Sequence, residues 1–307
     1  MHFRLRYIYV ISLFVFIASP CYLFFIIITP KAPIHVLTKL IYEPGHNIEN
    51  AKLCHGREPP KVFIGIISAP KNYEERNTIR ATWGNHRRRD VVLAFFIGKS
   101  LDSAVNRKIT QESFTYSDIV RSNNIDSYMN LTLKTISLIE WTLRHCSNAR
   151  FVMKCDDDVF VNVTNLLSFI NIKFDSKNTI FGELGKDLSP LWWPPRWYVS
   201  SSEYDKPRYP DFLFGPAYLL SSDCLRPLFT QALKTEFFRL EDVFITGIVA
   251  ESVNIQRVGS PLFIRSDYTH EIDHGMNFNI LNETKKRISI HGLSLSQQDE
   301  IWHCIAN

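Results

Sequence analysis

The chain of 307 residues has room for one large domain or two small ones, and a hydrophobic fraction of 45% is sufficient for a sizeable core. Its formal net charge is only +4, and the basic residues are scattered apart from a short run at 86–89. A nucleic-acid-binding protein needs clustered positive charge or a known binding module. The sequence has neither, so this class is excluded.

The first predicted element is a membrane-spanning signal-anchor helix. Residues 7–29 carry no charged side chain, and a run of this length crosses a hydrocarbon core of about 30 Å as a helix. Arg4 and Arg6 precede the run and only Lys31 follows closely. The positive-inside rule therefore places residues 1–6 in the cytosol and the rest on the far side of the membrane. A cleaved secretory signal is the alternative, although bulky residues close the run.

Residues 30–60 are polar and irregular, with several prolines. They predict a short stem between the membrane and a single domain over 61–307. Five cysteines lie outside the predicted span: Cys54, Cys146, Cys155, Cys224 and Cys304. Their odd number allows at most two disulfides within the chain.

Three sequons fit a chain of the secretory pathway, and they begin at Asn130, Asn162 and Asn282. Asn162 lies close to a cluster of carboxylates, where we do not expect room for a glycan. Asn130 and Asn282 are therefore the candidate glycosylation sites.

From residue 61 onward, strands and helices alternate. Buried strands are predicted at Val62–Ser68, Val91–Ile97 and Phe151–Lys154, and helices at 73–84 and Tyr128–His145. The strands are almost continuously apolar, which is typical of a parallel sheet covered on both faces. The sequence therefore predicts an α/β fold.

Asp156, Asp157 and Asp158 follow the third of these strands. Ligands of such sheets bind at the carboxyl ends of the strands. Two carboxylates separated by one residue offer oxygen ligands to Mg²⁺ or Mn²⁺, which complete their shells with water and phosphate. An acidic surface turn is the alternative, but apolar neighbours on both sides disfavour unpaired charge there.

Two other readings of the aspartates are excluded. In an EF-hand that begins at Asp156, the third ligand position falls on Phe160 and the required glycine on Val161. No glycine-rich phosphate loop accompanies the acids, so a phosphate would depend on a metal and basic side chains. A membrane-anchored, exoplasmic enzyme with a metal–diphosphate site indicates a nucleotide-sugar transferase.

Over most of residues 61–302 the chain resembles the β-1,3-galactosyltransferase family of Golgi type II enzymes, which also includes β-1,3-N-acetylglucosaminyltransferases. The matching segments follow the family's order: IRATWG (79–84), FFIG (95–98), ESFTYSDIV (112–120), DSYMNLTLKT (126–135), KCDDDVFVN (154–162), RWYVSSSEYDKPRYPDFLFGPAYLLS (196–221) and EDVFITG (241–247).

The resemblance implies a GT-A (Rossmann-like) fold, a UDP-sugar donor, Mn²⁺ and inversion at the anomeric carbon. It places Mn²⁺ on Asp156 and Asp158, with Asp157 supporting the turn. It makes Asp242 the catalytic base and Glu241 its neighbour, in reach of the acceptor.

The family's further metal ligand, a histidine near the C-terminus, matches His291 best. The rivals are His270, His274 and His303.

Further candidate residues follow from the same resemblance. Those expected near the nucleotide are Arg76, Arg80, Trp83 and Lys134, and those on the acceptor side are Trp197, Tyr198, Gly215 and Tyr218. Trp192 and Trp193 are further aromatic residues that can stack on sugar faces. For each of these side chains, packing in the core or on the surface is the alternative role.

Two departures from the family pattern lie near the acceptor side. Pro216 stiffens the stretch from Gly215 to Tyr218, and the segment 241–247 is one residue longer than the commoner form. Both concern the choice of acceptor more than activity.

The sequence thus predicts a Golgi membrane enzyme that transfers galactose from UDP-galactose to a glycan acceptor in β-1,3 linkage. Transfer of N-acetylglucosamine from its UDP derivative is the close alternative, because the motifs do not separate the two donors. A non-catalytic carbohydrate-binding relative is the alternative from another class. A calcium-dependent adhesion domain is excluded by the lack of repeats and of a calcium-loop pattern.

Overall fold

The structure, a computed structural model, describes residues 35–55, 58–85, 88–191, 193, 197–265 and 284–306. The predicted membrane span at 7–29 lies outside these ranges, as do Trp192, His270, His274 and Asn282. Within the described ranges, no helix combines the length and apolar character that a membrane span requires.

Eleven strands form two sheets in the described part of the chain. They are β1 (His46–Ile48), β2 (Val62–Ile67), β3 (Val91–Lys99), β4 (Ile119–Ile125), β5 (Phe151–Asp156), β6 (Val159–Val161), β7 (Thr179–Gly185), β8 (Phe212–Ser221), β9 (Gln256–Gly259), β10 (Phe263–Ile264) and β11 (Ser289–His291). The large sheet has the order β1-β4-β3-β2-β5-β8-β7-β9, and the small one β10-β11-β6.

The α/β prediction is confirmed, but the large sheet is mixed rather than parallel. Strands β4, β3, β2 and β5 are mutually parallel. Strand β8 runs antiparallel between β5 and β7, and β1 is antiparallel to β4. The sequence predicted no strand before β2 or after β5, so it did not anticipate the antiparallel strands β1 and β8.

Six α-helices of eight or more residues pack on the sheets in the described ranges. They are α1 (Tyr73–Ala81), α2 (Ser103–Tyr116), α3 (Leu131–His145), α4 (Val163–Ile172), α5 (Leu225–Ala232) and α6 (Leu295–Ala306). A π-helix (Val243–Val249) continues into one α-helical turn, Ala250–Ser252. Short 3₁₀ turns are Thr38–Leu40, Ala51–Cys54, Tyr128–Asn130 and Ser222–Cys224.

The apolar strands separate two cores, one on each face of the large sheet. Phe63 and Phe96 face the layer formed by α3, α5 and the π-helix. Ile64 and Phe95 face the layer formed by α1, α2, α4, α6 and the small sheet. Successive residues of a strand point to opposite faces, so strands buried on both sides need an unbroken run of apolar residues.

Local signals explain where the central elements begin and end. The Asp102 side chain accepts the Ala104 amide at 2.7 Å and caps α2, which ends at Ser117 in the left-handed conformation. Gly65 lets α3 cross β2 closely, since a Cβ there would lie 2.2 Å from a Leu138 methyl group. Helix α2 and strand β4 fill 103–125, a region for which the sequence predicted no element.

The predicted stem is corrected from residue 35 onward, because this segment is folded onto the domain. Strand β1 extends the large sheet at its edge. The Tyr42 hydroxyl and the Gly45 amide both donate to Glu140 of α3, at 2.5 and 2.9 Å. A proline-rich, polar composition did not reveal this packing, because the partners lie 98 and 95 residues away in the sequence.

A disulfide closes the same segment onto the end of α3. Cys54 and Cys146 are bonded across a sequence separation of 92 residues. Among the described residues Cys155 and Cys224 are buried free thiols, and Cys304 is exposed. A disulfide that closes a long loop restricts the unfolded chain and so stabilises the fold.

We expect Cys146→Ser to lower the free energy of unfolding by about 3–4 kcal/mol, the effect of losing a long-loop disulfide. Chemical denaturation followed by tryptophan fluorescence measures this. The matched control is Cys304→Ser, which removes an exposed free thiol and should leave the midpoint unchanged. Equal midpoints for the two variants would contradict a stabilising disulfide.

Candidate active site

The three aspartates lie in the turn between β5 and β6, at the carboxyl edge of the parallel strands. Asp156 ends β5, and its Oδ1 lies 2.6 Å from the Lys154 ammonium. The side chains of Asp156 and Asp158 are 28% and 51% exposed. Both carboxylates therefore reach the surface at the edge where such sheets bind ligands.

Asp157 points the other way, into the domain. It is buried and accepts a hydrogen bond from the Asn72 amide at 3.0 Å. Burial raises the pKa of Asp157 to about 6, although hydrogen bonds from Ser68 and Asn72 oppose the shift. This geometry agrees with the predicted supporting role, because it ties the aspartate turn to the loop after β2.

His291 lies beside Asp158, as its pairing on the small sheet requires. Strand β11 pairs antiparallel with β6 and sets His291 opposite Val159, the residue after Asp158. The His291 Nε2 lies 3.3 Å from the Asp158 Oδ2. Burial opposes both shifts, but the contact holds the pKa of Asp158 below and that of His291 above their usual values.

The residues present fit a divalent cation by chemistry. Carboxylate oxygens and an imidazole suit Mn²⁺, and Asp158 and His291 are already in contact. The Nδ1 of His291 is buried and has no hydrogen-bond partner in the described part of the chain. Among the described residues no three acidic, histidine or cysteine side chains form a ready-made metal cluster. Asp156 is turned toward Lys154 and would complete the set.

Lys154 is a fully buried cation at the centre of the site, with 1% of its side chain exposed. Besides Asp156, its ammonium donates to the Gly215 carbonyl at 2.6 Å and lies 3.5 Å from the Glu241 Oε2. Burial alone would lower the pKa of Lys154, but Asp156 and Glu241 raise it above its usual value. The ammonium therefore stays charged inside the protein.

Glu241 and Asp242 approach the same place from the N-terminus of the π-helix. The Tyr218 hydroxyl donates to the Glu241 Oε1 at 2.6 Å. Asp242 accepts the Gly215 amide at 3.0 Å and the Val243 amide at 2.9 Å. Burial raises the pKa of both carboxyl groups. The predicted base and the aspartate turn are thus joined through Lys154 and Gly215.

The segment 241–247 enters the π-helix at Val243. Its i→i+5 hydrogen bonds accommodate one more residue per turn than an α-helix. Thr246 is fully buried in it. Its hydroxyl accepts the Leu213 amide at 2.8 Å and lies 2.7 Å from the Asp242 carbonyl. The longer segment therefore keeps Asp242 fixed against β8.

Pro216 is accommodated by an irregularity of the sheet. It lies one residue beyond the last β5–β8 pair, Cys155 with Ala217. The β7–β8 register shifts between Gly182 and Leu184. Proline cannot donate to a ladder, so it is tolerated where the ladder is interrupted. The substitution leaves the Gly215 contacts to Lys154 and Asp242 in place.

The candidate nucleotide contacts Arg76 and Trp83 lie inside the domain. Both side chains are fully buried. The Arg76 guanidinium forms a bidentate ion pair with Glu112, at 2.8 and 2.7 Å, and also donates to Ser68. With no exposed surface, neither residue contacts a ligand in this conformation, and both serve the packing of α1 against α2 and β2.

Arg80 and Lys134 are also held by protein partners. The Arg80 guanidinium binds both oxygens of Asp118, at 2.7 and 2.9 Å. Asp118 precedes β4, so this contact lies at the end of the sheet opposite the aspartate turn. The Lys134 ammonium binds the Ser68 carbonyl at 2.8 Å and Asp126 at 2.7 Å, and the side chain is buried. Matching sequence segments did not reveal these internal ion pairs.

The predicted acceptor residues divide into exposed and buried ones. Trp197 and Tyr198 are 45% and 47% exposed, and the Trp197 indole donates to the Tyr128 hydroxyl at 3.2 Å. Tyr218 is fully buried, so it orients Glu241 instead of contacting an acceptor. Gly215 takes part through its backbone. Arg239 joins this region to the base, since it pairs with Glu203 and donates to the Tyr198 carbonyl.

Two of the sequons are engaged in the fold. The Asn130 amide donates to the Ile125 carbonyl at 3.0 Å, and Thr132 is fully buried. A glycan at Asn130 would therefore require this turn to open. Asn162 is buried and its side chain caps α4, which agrees with the expectation that it carries no glycan.

Sequence reasoning missed Lys154, Asn72 and Thr246. A signal existed for Lys154, because a lysine within an otherwise apolar buried strand requires a nearby anionic partner. No comparable signal marks Asn72 or Thr246, whose partners are distant in sequence and become neighbours only through the fold.

The fold is of the α/β class, and its candidate site lies at the carboxyl edge of the parallel strands. Residues 74–261 match the family model described as galactosyltransferase. The chain belongs to the galactosyltransferase family, which makes it a hexosyltransferase.

Two individual relatives are beta-1,3-galactosyltransferases. Over 202 residues the chain is 36% identical to beta-1,3-galactosyltransferase 5 of Pan paniscus, covering 64% of this chain and 67% of that protein. It is 29% identical over 279 residues to beta-1,3-galactosyltransferase 1 of Mus musculus, covering 88% and 78% of the two chains.

Among solved structures, a glycosyltransferase involved in glycosylation of the major capsid of PBCV-1 aligns with a TM-score of 0.42 at 14% identity. The alignment covers 80% of this chain and all of that one.

Proposed function

We propose that this protein is an inverting, metal-dependent transferase that moves galactose from UDP-galactose to a glycan acceptor in β-1,3 linkage. The supporting observation is that two pairs of carboxylates lie at one edge of the sheet. Lys154 contacts Asp156 of the aspartate turn, which also carries Asp158, and it contacts Glu241, the residue before Asp242. Family membership and a mixed sheet with this site agree with a GT-A architecture.

Asp156, Asp158 and His291 would hold the divalent cation, with Mn²⁺ as the candidate. When bound, the cation offsets the negative charge of the departing diphosphate. Asp157 contributes indirectly, because its hydrogen bond from Asn72 holds the turn that carries both carboxylates.

Asp242 is the candidate base. Its carboxylate takes the proton of the acceptor 3-hydroxyl while that oxygen forms a bond to the anomeric carbon of galactose. The bond from this carbon to the UDP oxygen breaks on the opposite face, so the configuration inverts and UDP leaves with the bonding electrons. The amides of Gly215 and Val243 fix the carboxylate, and such orientation is a large part of catalysis.

The exposed aromatic residues are candidates for binding the acceptor, whereas Glu241, whose side chain is 2% exposed, is a candidate supporting residue beside the base. Tyr218 holds one Glu241 oxygen, while the other has no hydrogen-bond partner among the described residues and faces Lys154. Trp197 and Tyr198 present open rings, and aromatic rings suit the apolar face of a pyranose. Arg239, which lies three residues before Asp242 in the sequence, donates to the Tyr198 carbonyl.

The proposed location is the Golgi membrane, with residues 7–29 as the anchor, 1–6 as the cytosolic tail and the domain in the lumen. The uncharged N-terminal run supports an anchor. The Cys54–Cys146 disulfide supports an oxidising compartment of the secretory pathway.

The first experiment offers UDP-galactose and UDP-N-acetylglucosamine separately to the purified protein with Mn²⁺ and a panel of glycan acceptors. We expect acceptor-dependent UDP release with UDP-galactose, and a product cleaved by a β-1,3-specific galactosidase. Loss of the base in Asp242→Asn should lower kcat by about 10²–10⁴-fold.

The matched control is Asp299→Asn, at an exposed aspartate on α6, which should retain wild-type turnover. Turnover with UDP-N-acetylglucosamine alone would assign the other donor. Mn²⁺-dependent UDP binding without turnover on any acceptor would favour a carbohydrate-binding relative.

We expect UDP binding to require Mn²⁺ and to weaken at least about 10–100-fold in Asp158→Ala, since even supporting residues of metal sites have effects of this size. Isothermal titration calorimetry with and without EDTA measures it, and Asp175→Ala, at an exposed aspartate outside the site, is the control. UDP affinity that is indifferent to both Mn²⁺ and Asp158→Ala would refute the metal site.

We expect the rate to fall at acid pH, because a base acts only when ionised. Burial raises the pKa of Asp242 above the usual aspartate value of about 3.9. Activity should be full above that raised pKa and be lost as the pH falls through it. A profile of kcat/KM against pH measures this loss of activity at acid pH. If the residual activity of Asp242→Asn falls over the same pH range, the loss belongs to another group.

A further inference from the structure

Lys154 is a buried cation for which the proposed chemistry gives no direct task. A buried ammonium is costly unless its charge is paired and its protons are donated. Here three oxygens surround it, from Asp156 at 2.6 Å, Gly215 at 2.6 Å and Glu241 at 3.5 Å. The contacts to Asp156 and Gly215 are hydrogen bonds, and Glu241 adds an opposite charge as an ion pair.

These three oxygens come from both halves of the site: the donor side, which carries Asp156 and Asp158, and the base side, which carries Glu241 and Asp242. Asp156 belongs to the aspartate turn on β5. The Gly215 carbonyl belongs to β8, and the Gly215 amide holds Asp242. Glu241 directly precedes Asp242. One side chain therefore connects the proposed metal-binding carboxylate with the segment that carries the proposed base.

The position of Lys154 on β5 makes this connection rigid. Lys154 pairs with Tyr218 across the antiparallel β5–β8 ladder. Tyr218 in turn holds Glu241 at 2.6 Å. The ammonium lies 5.8 Å from the centre of the Tyr218 ring. The side chains of Lys154 and Tyr218 are both buried. Lys154 therefore cannot move with one half of the site while its contacts to the other half stay in place.

We propose that Lys154 is a positioning residue that sets the separation of the donor-side and base-side carboxylates and offsets their charge. This inference rests on the proposed function. Lys154 does not contact substrate, because only 1% of its side chain is exposed. It acts through Asp156, Glu241 and the Gly215 backbone.

A role in folding alone makes a different prediction from a positioning role. If Lys154 only stabilised the fold, a folded variant would show a normal kcat per UDP-binding site. If it positions the two halves, a folded variant that binds UDP still turns over slowly, because misplacing reacting groups by about 1 Å costs on the order of 100-fold in rate.

The test compares Lys154→Met, which is similar in length and neutral, with Glu140→Leu. Glu140 is a buried charged residue of α3 that accepts hydrogen bonds from Tyr42 and Gly45. It belongs to neither half of the site. We expect both variants to melt at lower temperature than the wild type. Three quantities are measured well below the melting temperatures: the UDP dissociation constant with Mn²⁺, the number of UDP sites per chain, and kcat per UDP site.

For Lys154→Met we expect kcat per UDP site to fall about 100-fold or more, while the UDP dissociation constant changes by less than about tenfold, because Asp158 and His291 are untouched. For Glu140→Leu we expect kcat per UDP site to stay within about threefold of the wild type. A matching value for Lys154→Met would overturn the proposal. Complete loss of UDP binding would also overturn it, since Lys154 would then serve the donor side alone.

Lys154→Arg keeps the positive charge and serves as the test if Lys154→Met does not fold. Its planar guanidinium cannot reproduce the three contacts of a compact ammonium, so we expect at least about tenfold lower kcat per UDP site with UDP binding retained, and unchanged kcat would refute positioning. The wild-type assay is read first: no turnover with any donor rejects the proposed function, whereas an active wild type beside a fully active lysine variant rejects only this inference.

Discussion

The arrangement of the site depends on one constraint, the burial of the Lys154 ammonium among carboxylates. Asp156, Glu241 and Asp242 all have raised pKa values because burial opposes their ionisation. A set of like charges in a low-dielectric environment is tolerable only beside a fixed opposite charge. Lys154 supplies this charge from within β5. The antiparallel placement of β8 next to β5 follows the same requirement, because it brings Gly215 and Tyr218 to the lysine.

The scaffold around this centre keeps the carboxyl edge of the sheet in place. Two apolar layers clamp the central strands, and ion pairs such as Arg76–Glu112 and Lys134–Asp126 fix the loops that leave them. The segment from residue 35 closes the sheet edge and is tied by the Cys54–Cys146 disulfide. The three basic residues that the family motifs suggested for the nucleotide, Arg76, Arg80 and Lys134, all form ion pairs within this scaffold.

The two halves of the site differ in electrostatic environment in a way that suits their proposed roles. Asp158 is half exposed, and its contact with His291 keeps its pKa low despite partial burial. It is therefore ionised and available to a cation over a wide pH range. Asp242 is held by backbone amides and has a raised pKa, which brings it closer to the working range of a general base. Pairs of acids separated in this way characterise acid–base sites.

The sequence by itself determined the α/β class, the central strands β2, β3 and β5, the helices α1 and α3, and the position of the aspartates at the carboxyl edge. These features follow from local periodicity, from apolar runs and from the family motifs, which are all readable in order along the chain. The same motifs named Asp242 and Glu241, and the structure brings both to the aspartate turn through Lys154.

Only the tertiary structure decided which charged side chains are exposed at the candidate site and which form internal ion pairs. Arg76 and Lys134 carry the same chemistry as a phosphate-binding residue, and their partners Glu112 and Asp126 are identified only by the packing of helices on the sheet. The antiparallel insertion of β8, the folding of residues 35–55 and the π-helix also depend on contacts between distant segments. Local patterns encode which elements form, whereas long-range packing selects the partner of each buried polar group.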